Sequence, residues 1–223
     1  MVVLLFGPPG CGKGTQSAFL TERLQIPVIS TGEMFRAECK AGTELGRRAS
    51  AILAAGGLVG DDIVNGMVAN RIDRKDCARG FLLDGYPRTV PQAKWFTRLL
   101  GDRGLPQPVV IHLDVADCVL VERLTARRQC PQCQRIYNLL SQPPLVAGRC
   151  DGDGAALVRR DDDREAVIRR RLAEYEAQTG PVLDWYGISG IHRIEADRDP
   201  LLIAEAIGKL LAGDAPHSVL ATR

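Results

Sequence analysis

An α/β fold, a doubly wound parallel sheet of five strands with helices on both faces, is predicted by three features of this 223-residue chain. Five short apolar runs, at 2–6, 28–29, 80–83, 109–113 and 191–194, have the unbroken hydrophobicity of strands buried on both sides. Stretches of helix-forming composition lie between them, at 16–24, 43–54, 61–71, 90–103, 116–127, 162–177 and 200–212. Such alternation builds parallel sheets through helical crossovers. Third, Ser30, Thr31, Asp84 and Asp114 stand at or just past the C-terminal ends of the predicted strands, where such sheets gather ligands.

The first strand runs straight into Gly7-Pro8-Pro9-Gly10-Cys11-Gly12-Lys13-Gly14-Thr15, and a helix follows. Strand, glycine-rich loop and helix in that order are the context of a P-loop. Glycines let backbone N–H groups curl around an anion, the helix presents its positive end, and Lys13 adds a full charge. Residue 14 is glycine, and the hydroxyl arrives one position later, at Thr15. This loop predicts a site for a nucleoside triphosphate.

Composition narrows the classes. The net charge of +2 is too small to imply nucleic acid, and no apolar run is long enough to cross a membrane. No signal peptide precedes the first strand, so a cytoplasmic location is expected. Seven cysteines there read as thiols or metal ligands rather than disulfides.

Two segments interrupt the alternation. Residues 30–59 read as a small helical insertion, made mobile by Ala54-Ala55-Gly56-Gly57. Residues 128–160, with three cysteines, Pro143-Pro144 and Asp151-Gly152-Asp153-Gly154, are too long for a plain loop and read as a compact lid. The expected division is a core of 1–29, 60–126 and 164–212, an insertion of 30–59, a lid of 127–163 and a frayed tail of 213–223.

Several side chains then acquire chemical roles. Asp84 ends a strand before Gly85-Tyr86-Pro87-Arg88, where a carboxylate can hold the water shell of a phosphate-bound Mg²⁺. Arg88 could clamp a second phosphate. Arg123 and Arg127, at i and i+4 of a predicted helix, share a face near Leu120, so Arg127 requires an anion. Arg171 belongs to a helix that Asp162 and Glu165 could open as a capping box. Cys130-x2-Cys133 and Cys150-x2-Asp153 match a zinc ribbon with one cysteine replaced by aspartate, Asp151 being the competing ligand. Cys39, Cys77, Cys118 and His112 read as packing residues, and in Cys11 only the backbone need matter.

Taken together these motifs resemble adenylate kinase of the long-lid bacterial type. The resemblance covers nearly the whole chain, through Leu5–Gln16, Ser30–Arg36, Phe81–Thr89 and the Arg159-Arg160-Asp161-Asp162-Asp163 region. The Asp84-Gly-Tyr-Pro-Arg-Thr89 signature is its most specific part, and Gly14 is what this family carries. The resemblance implies phosphoryl transfer from Mg-ATP to AMP giving two ADP, by a monomer that needs no nucleic acid or membrane. It implies an AMP site of Thr31, Arg36, Gly57, Leu58, Val59, Gly85, Tyr86, Pro87, Arg88 and Gln92, with Arg160 and Arg171 nearby. ATP would lie on Gly10, Cys11, Gly12, Lys13, Gly14 and Thr15, with Arg127, Ile136 (through its backbone), Tyr137 and the backbone near Arg198. Lys13, Asp84, Arg88, Arg123, Arg160 and Arg171 would be catalytic. The resemblance also fits structural Zn²⁺ on Cys130, Cys133, Cys150 and Asp153. The nearest competing expectations are a UMP/CMP kinase and a zinc-ribbon nucleic-acid binder with a regulatory P-loop; only Tyr137 supplies an aromatic near the cysteines, which disfavours the latter.

Overall fold

The computed structural model describes residues 1–55, 57–187 and 190–213. Gly56 and all but the first residue of the expected tail 213–223 therefore lie outside the described residues. All five predicted strands form, as β1 (Val2–Phe6), β2 (Val28–Ser30), β3 (Phe81–Asp84), β4 (Val109–Asp114) and β7 (Ile191–Glu195). They pair in parallel in the order β2-β3-β1-β4-β7, with β1 at the centre. Between β4 and β7 the short β5 (Arg127–Gln129) and β6 (Ile136–Asn138) make a separate antiparallel ribbon.

The period of two along β1 divides the interior into two layers. Val2, Leu4 and Phe6 face one layer with Val64, Val68, Phe96 and Leu100, from α4 (Asp61–Ile72) and α5 (Val90–Asp102). Val3 and Leu5 face the other with Leu20 of α1 (Lys13–Leu24) and Ile203, Ile207 and Leu211 of α9 (Pro200–Gly213). This is the doubly wound arrangement that the unbroken apolar strands predict.

The predicted insertion is a helical hairpin, α2 (Thr31–Ala41) and α3 (Glu44–Ala54). Ser30 caps α2 by accepting from the Glu33 amide, and Gly42 ends it at φ 65°. Gly46 is where the two helices touch: a Cβ there would lie 2.2 Å from the Glu38 carbonyl oxygen.

Two helix expectations need correction. The helix expected over 116–127 is α6 (Asp117–Thr125), and Arg127 lies on β5, so it does not share a helical face with Arg123. A strand takes over because the Arg127–Gln129 backbone pairs with Ile136–Asn138. The stretch expected over 162–177 is α7 (Glu165–Glu174), and no side chain caps it. Asp161–Asp163 form a 3₁₀ turn instead, and the carboxylates of Asp162 and Asp163 bind arginines rather than backbone amides. Past Glu174 the chain continues through a π-helical turn, Tyr175–Thr179, into α8 (Gly180–Tyr186), which Gly180-Pro181 concealed in the sequence.

Candidate active site

Every predicted strand end opens on one side of the sheet, and a cleft of about 520 Å³ lies there. That volume is ordinary for a small-molecule site. The glycine loop forms its floor. Gly7, Gly10 and Gly12 have φ of 147°, 90° and 102°, and a Cβ on Gly7 would meet the Cys11 sulfur at 2.5 Å. Gly7 and Gly10 need glycine for both conformation and space, Gly12 for conformation alone. Lys13 Nζ donates to the carbonyls of Gly7 (2.6 Å) and Pro8 (3.1 Å), which hold the ammonium over the loop. Cys11 is buried, and burial raises its thiol pKa, so it stays protonated beside Lys13.

The turn after β3 forms the opposite wall. Gly85, at φ 76°, turns its carbonyl to accept from Thr31 Oγ1 (2.9 Å) and Arg88 Nε (2.8 Å). A Cβ there would lie 2.9 Å from Arg88 Nη2. Burial lowers the Arg88 pKa, partly offset by Asp84 and Asp162. Gln92 Oε1 accepts from the Arg88 amide at 2.7 Å, and Gln92 Nε2 donates to Asp61 Oδ1 at 2.7 Å. Tyr86 is buried, its hydroxyl donating to Asn65 Oδ1, and precedes Pro87 through a cis bond. Gln92 lines a narrow recess with Thr31, Phe35, Leu58, Val59 and Val64; Gly57 borders it.

Arginines fill the space between the walls: Arg36, Arg88, Arg123, Arg127, Arg160 and Arg171 all line the cleft. Burial and the neighbouring Arg160 push Arg36 down to about 10. Burial alone is the largest influence on Arg171, also at about 10. Carboxylates occupy several of these guanidiniums. Arg160 and Arg171 share Asp162, while Asp163, with no exposed side-chain surface, takes Arg127 and Arg171. Arg123 donates to the Ala196 carbonyl (3.0 Å) and to Asp197 (2.9 Å). The anion that Arg127 requires is thus Asp163, a residue its sequence neighbours give no reason to choose. Arg198 pairs with Glu195 at the cleft wall.

The ribbon β5–β6 brings the predicted metal ligands together. The ligand atoms of Cys130, Cys133, Cys150 and Asp153 all lie within 4.8 Å of one another. Cys133 and Cys150 sulfurs are 3.4 Å apart, and Cys130 approaches Asp153 Oδ2 at 3.2 Å. Asp151, the competing ligand, is engaged elsewhere: its Oδ1 accepts from the Leu145 amide. The Ala155 amide and the Cys130 thiol hold Asp153 well below the usual carboxylate range. Three sulfurs and one oxygen form a closed donor set of the kind Zn²⁺ takes. Tyr137 lines the cleft with its hydroxyl committed to the cysteine cluster, donating to Cys150 Sγ and accepting from the Asp151 amide. Ile136 Cδ1 stands 4.0 Å from the place a Gly14 Cβ would occupy, which sets the ribbon beside the glycine loop.

Residues 5–191 match the family model for adenylate kinase. The chain belongs to the adenylate kinase family. Its curated relatives of that name include one from Trichlorobacter lovleyi, 52% identical over 186 residues that cover 83% of this chain and 87% of the relative. Another, from Oceanobacillus iheyensis, is 46% identical over 95% of this chain and 99% of its own length. A third, from Anaeromyxobacter dehalogenans, is 44% identical over 99% and 96%. Membership makes the chain a nucleoside monophosphate kinase with adenylate kinase activity, a phosphotransferase. The mostly parallel five-stranded sheet is the fold such a kinase requires. Among the described residues, no helix is long and apolar enough to cross a membrane.

Sequence reasoning missed Asp61, Asp163, Thr179 and Asp197, and read Asp162 as a helix cap; each holds a predicted site residue or its neighbour. The run Arg159–Arg164, with three consecutive aspartates among arginines, is the one signal that could have revealed two of them.

Proposed function

We propose that the cleft holds ATP on the glycine loop and AMP on the Thr31–Gln92 side, with the arginines between them. One observation carries this division: Lys13 and six arginines converge between the loop and the Gly85–Arg88 turn. So much positive charge suits two phosphate chains meeting end to end. On this reading the backbone amides of Gly10–Thr15 and Lys13 hold the β- and γ-phosphates of ATP. Arg127, the Ile136 backbone, Tyr137 and the backbone near Arg198 border its adenosine. Thr31, Arg36, Gly57, Leu58, Val59, Gly85, Tyr86, Pro87 and Gln92 enclose AMP, and Arg88 grips its phosphate.

An AMP phosphate oxygen attacks the γ-phosphorus; that bond forms as the bond to the β–γ bridging oxygen breaks, leaving two ADP. The nucleophile is already anionic near neutral pH, so no general base is required. Arg123, Arg160 and Arg171 stabilise charge on the phosphoryl group in transit, exchanging Asp162 and Asp197 for phosphate oxygens. Asp84 would hold the water shell of the Mg²⁺ that accompanies ATP, and that ion would neutralise phosphate charge. The segments 30–59 and 127–163 serve as AMP-binding insertion and lid over the core, excluding the water that would otherwise hydrolyse ATP. Zn²⁺ on Cys130, Cys133, Cys150 and Asp153 would be structural, stapling a ribbon whose own buried cluster is only Cys130, Tyr137 and Cys150. A cytoplasmic monomer completes the proposal.

The test pairs Lys13→Ala and Arg88→Ala with assays of ATP against AMP, GMP, CMP and UMP. Each variant should lose at least about 100-fold in kcat, the scale of one transition-state contact removed. Near-normal rates in a folded variant, or preference for a pyrimidine monophosphate, would refute the assignment.

A further inference from the structure

Gln92 is the amide that reaches the narrow recess, and both of its ends are already engaged. Its Oε1 accepts from the Arg88 amide and its Nε2 donates to Asp61 Oδ1, each at 2.7 Å. A backbone N–H can only donate, and a carboxylate can only accept. Turning the amide over would set N–H against N–H and oxygen against carboxylate. Asp61 is itself fixed: its other oxygen accepts from Thr89 Oγ1 at 2.9 Å, and Thr89 in turn caps α5 by accepting from the Gln92 amide. Asp61 opens α4 and Gln92 lies in the first turn of α5, so the carboxylate locks two helices and one side chain into a single orientation.

We infer that Asp61 is a positioning residue that sets base selectivity at the monophosphate site by holding the Gln92 amide in one polarity. The inference rests on the proposal that the recess beside Gln92 takes the base of the acceptor nucleotide. The remaining Nε2 proton and Oε1 lone pair are the polar groups Gln92 brings to that recess. They complement a ring nitrogen acceptor beside an exocyclic amine, the edge adenine presents. Hypoxanthine has nearly the same shape, with a ring N–H beside a carbonyl, so in the same pose it meets donor with donor and acceptor with acceptor. A freely turning amide would accommodate either base; an amide held by Asp61 accommodates one. The reason is cost: an unmatched buried polar pair is far more expensive than a weak hydrogen bond.

The experiment measures kcat and KM for AMP and for IMP, at saturating ATP, in the wild-type chain, Asp61→Asn, Gln92→Leu and the double variant. Asp61→Asn keeps the shape of the side chain but lets it donate as well as accept. It should raise KM for AMP and cut the AMP-to-IMP ratio of kcat/KM by roughly tenfold. The kcat with AMP and the KM for ATP should stay within about twofold of wild type, a split that general loosening of the fold does not produce. In the Gln92→Leu background, Asp61→Asn should add nothing to the ratio, because it acts through that amide. An unchanged ratio in folded Asp61→Asn, with Gln92→Leu impaired toward AMP, overturns the role of Asp61 alone. Unchanged AMP kinetics in Gln92→Leu overturns the placement of the base as well. Should Asp61→Asn lose its cooperative melt, Asp61→Ser gives the same comparison, with the same ratio expected to fall.

Discussion

Arg127 closes a two-pronged ion pair on Asp163, with Nε to Oδ2 at 2.8 Å and Nη2 to Oδ1 at 2.5 Å. The carboxylate is wholly buried, and Arg171 approaches the same Oδ1 at 3.5 Å. β5 and the 3₁₀ turn before α7, the two sequence borders of residues 127–163, are thereby joined by one anion. Asp163→Ala would leave two buried guanidiniums without it. The expected loss is about 3 kcal/mol in urea unfolding, the usual size for removing one partner of a buried pair. Unchanged stability would show that the arginines find other partners.

Gly85 holds the Arg88 side chain where it is. Its φ of 76° and the 2.9 Å approach of Arg88 Nη2 leave no place for a methyl group. Gly85→Ala should cost about 1–2 kcal/mol for the left-handed conformation alone. It should also displace the guanidinium, so kcat should fall well beyond what the lost stability explains. Steady-state kinetics and thermal melts on the same preparation separate the two effects.

Metal removal should act on the lid first. If Zn²⁺ ties Cys130, Cys133, Cys150 and Asp153, the purified chain carries about one equivalent, the number a single four-ligand site holds. Chelation should then expose 127–163 to limited proteolysis while the core resists. Asp153→Asn should bind the ion more weakly than wild type. A chain without metal whose cleavage pattern ignores chelator would contradict the staple.

His112 gives stability a slope with pH. It is buried on β4, with Nε2 3.2 Å from the Tyr175 hydroxyl, and among the described residues no partner is found for Nδ1. Burial, then Arg193, lower its pKa, with Lys13 acting in the same direction and Asp114 opposing. The folded state therefore keeps the ring neutral where the unfolded chain, titrating at about 6.5, takes up a proton. The stability is fully present above that value and is lost as pH falls through it. Urea midpoints at pH 5.5 and 7.5 should fall further apart in the wild type than in His112→Gln. Equal differences would dismiss the histidine as their source.

Much of the architecture was legible because it follows from local composition. The apolar runs became strands, and the glycines of 7–12 became a tight loop with positive φ at Gly7, Gly10 and Gly12, since both depend on residues adjacent in the chain. Arg127 shows the boundary. Helical phase placed it beside Arg123 on a helix; it lies on a strand, and still it lines the cleft. The helical argument for an anion beside it does not hold, and its partner Asp163, 36 residues away, comes from tertiary packing. Cys130, Cys133, Cys150 and Asp153 were legible because metal spacing is a local rule, and only the chain path excluded Asp151 by engaging it with Leu145.

Sequence alone determined where the chemical groups lie: which loop is rich in glycine, which strand ends in a carboxylate, and which four side chains could share a metal. These are short-range properties, set by backbone freedom, periodicity and residue type. Tertiary structure decided the partnerships: Asp163 on Arg127, Asp162 between Arg160 and Arg171, Asp61 on Gln92 and Tyr175 on His112. Most of these join side chains that no local rule relates. They form because burying a charge or an amide requires a partner, and the folded chain, not the neighbouring residue, supplies it.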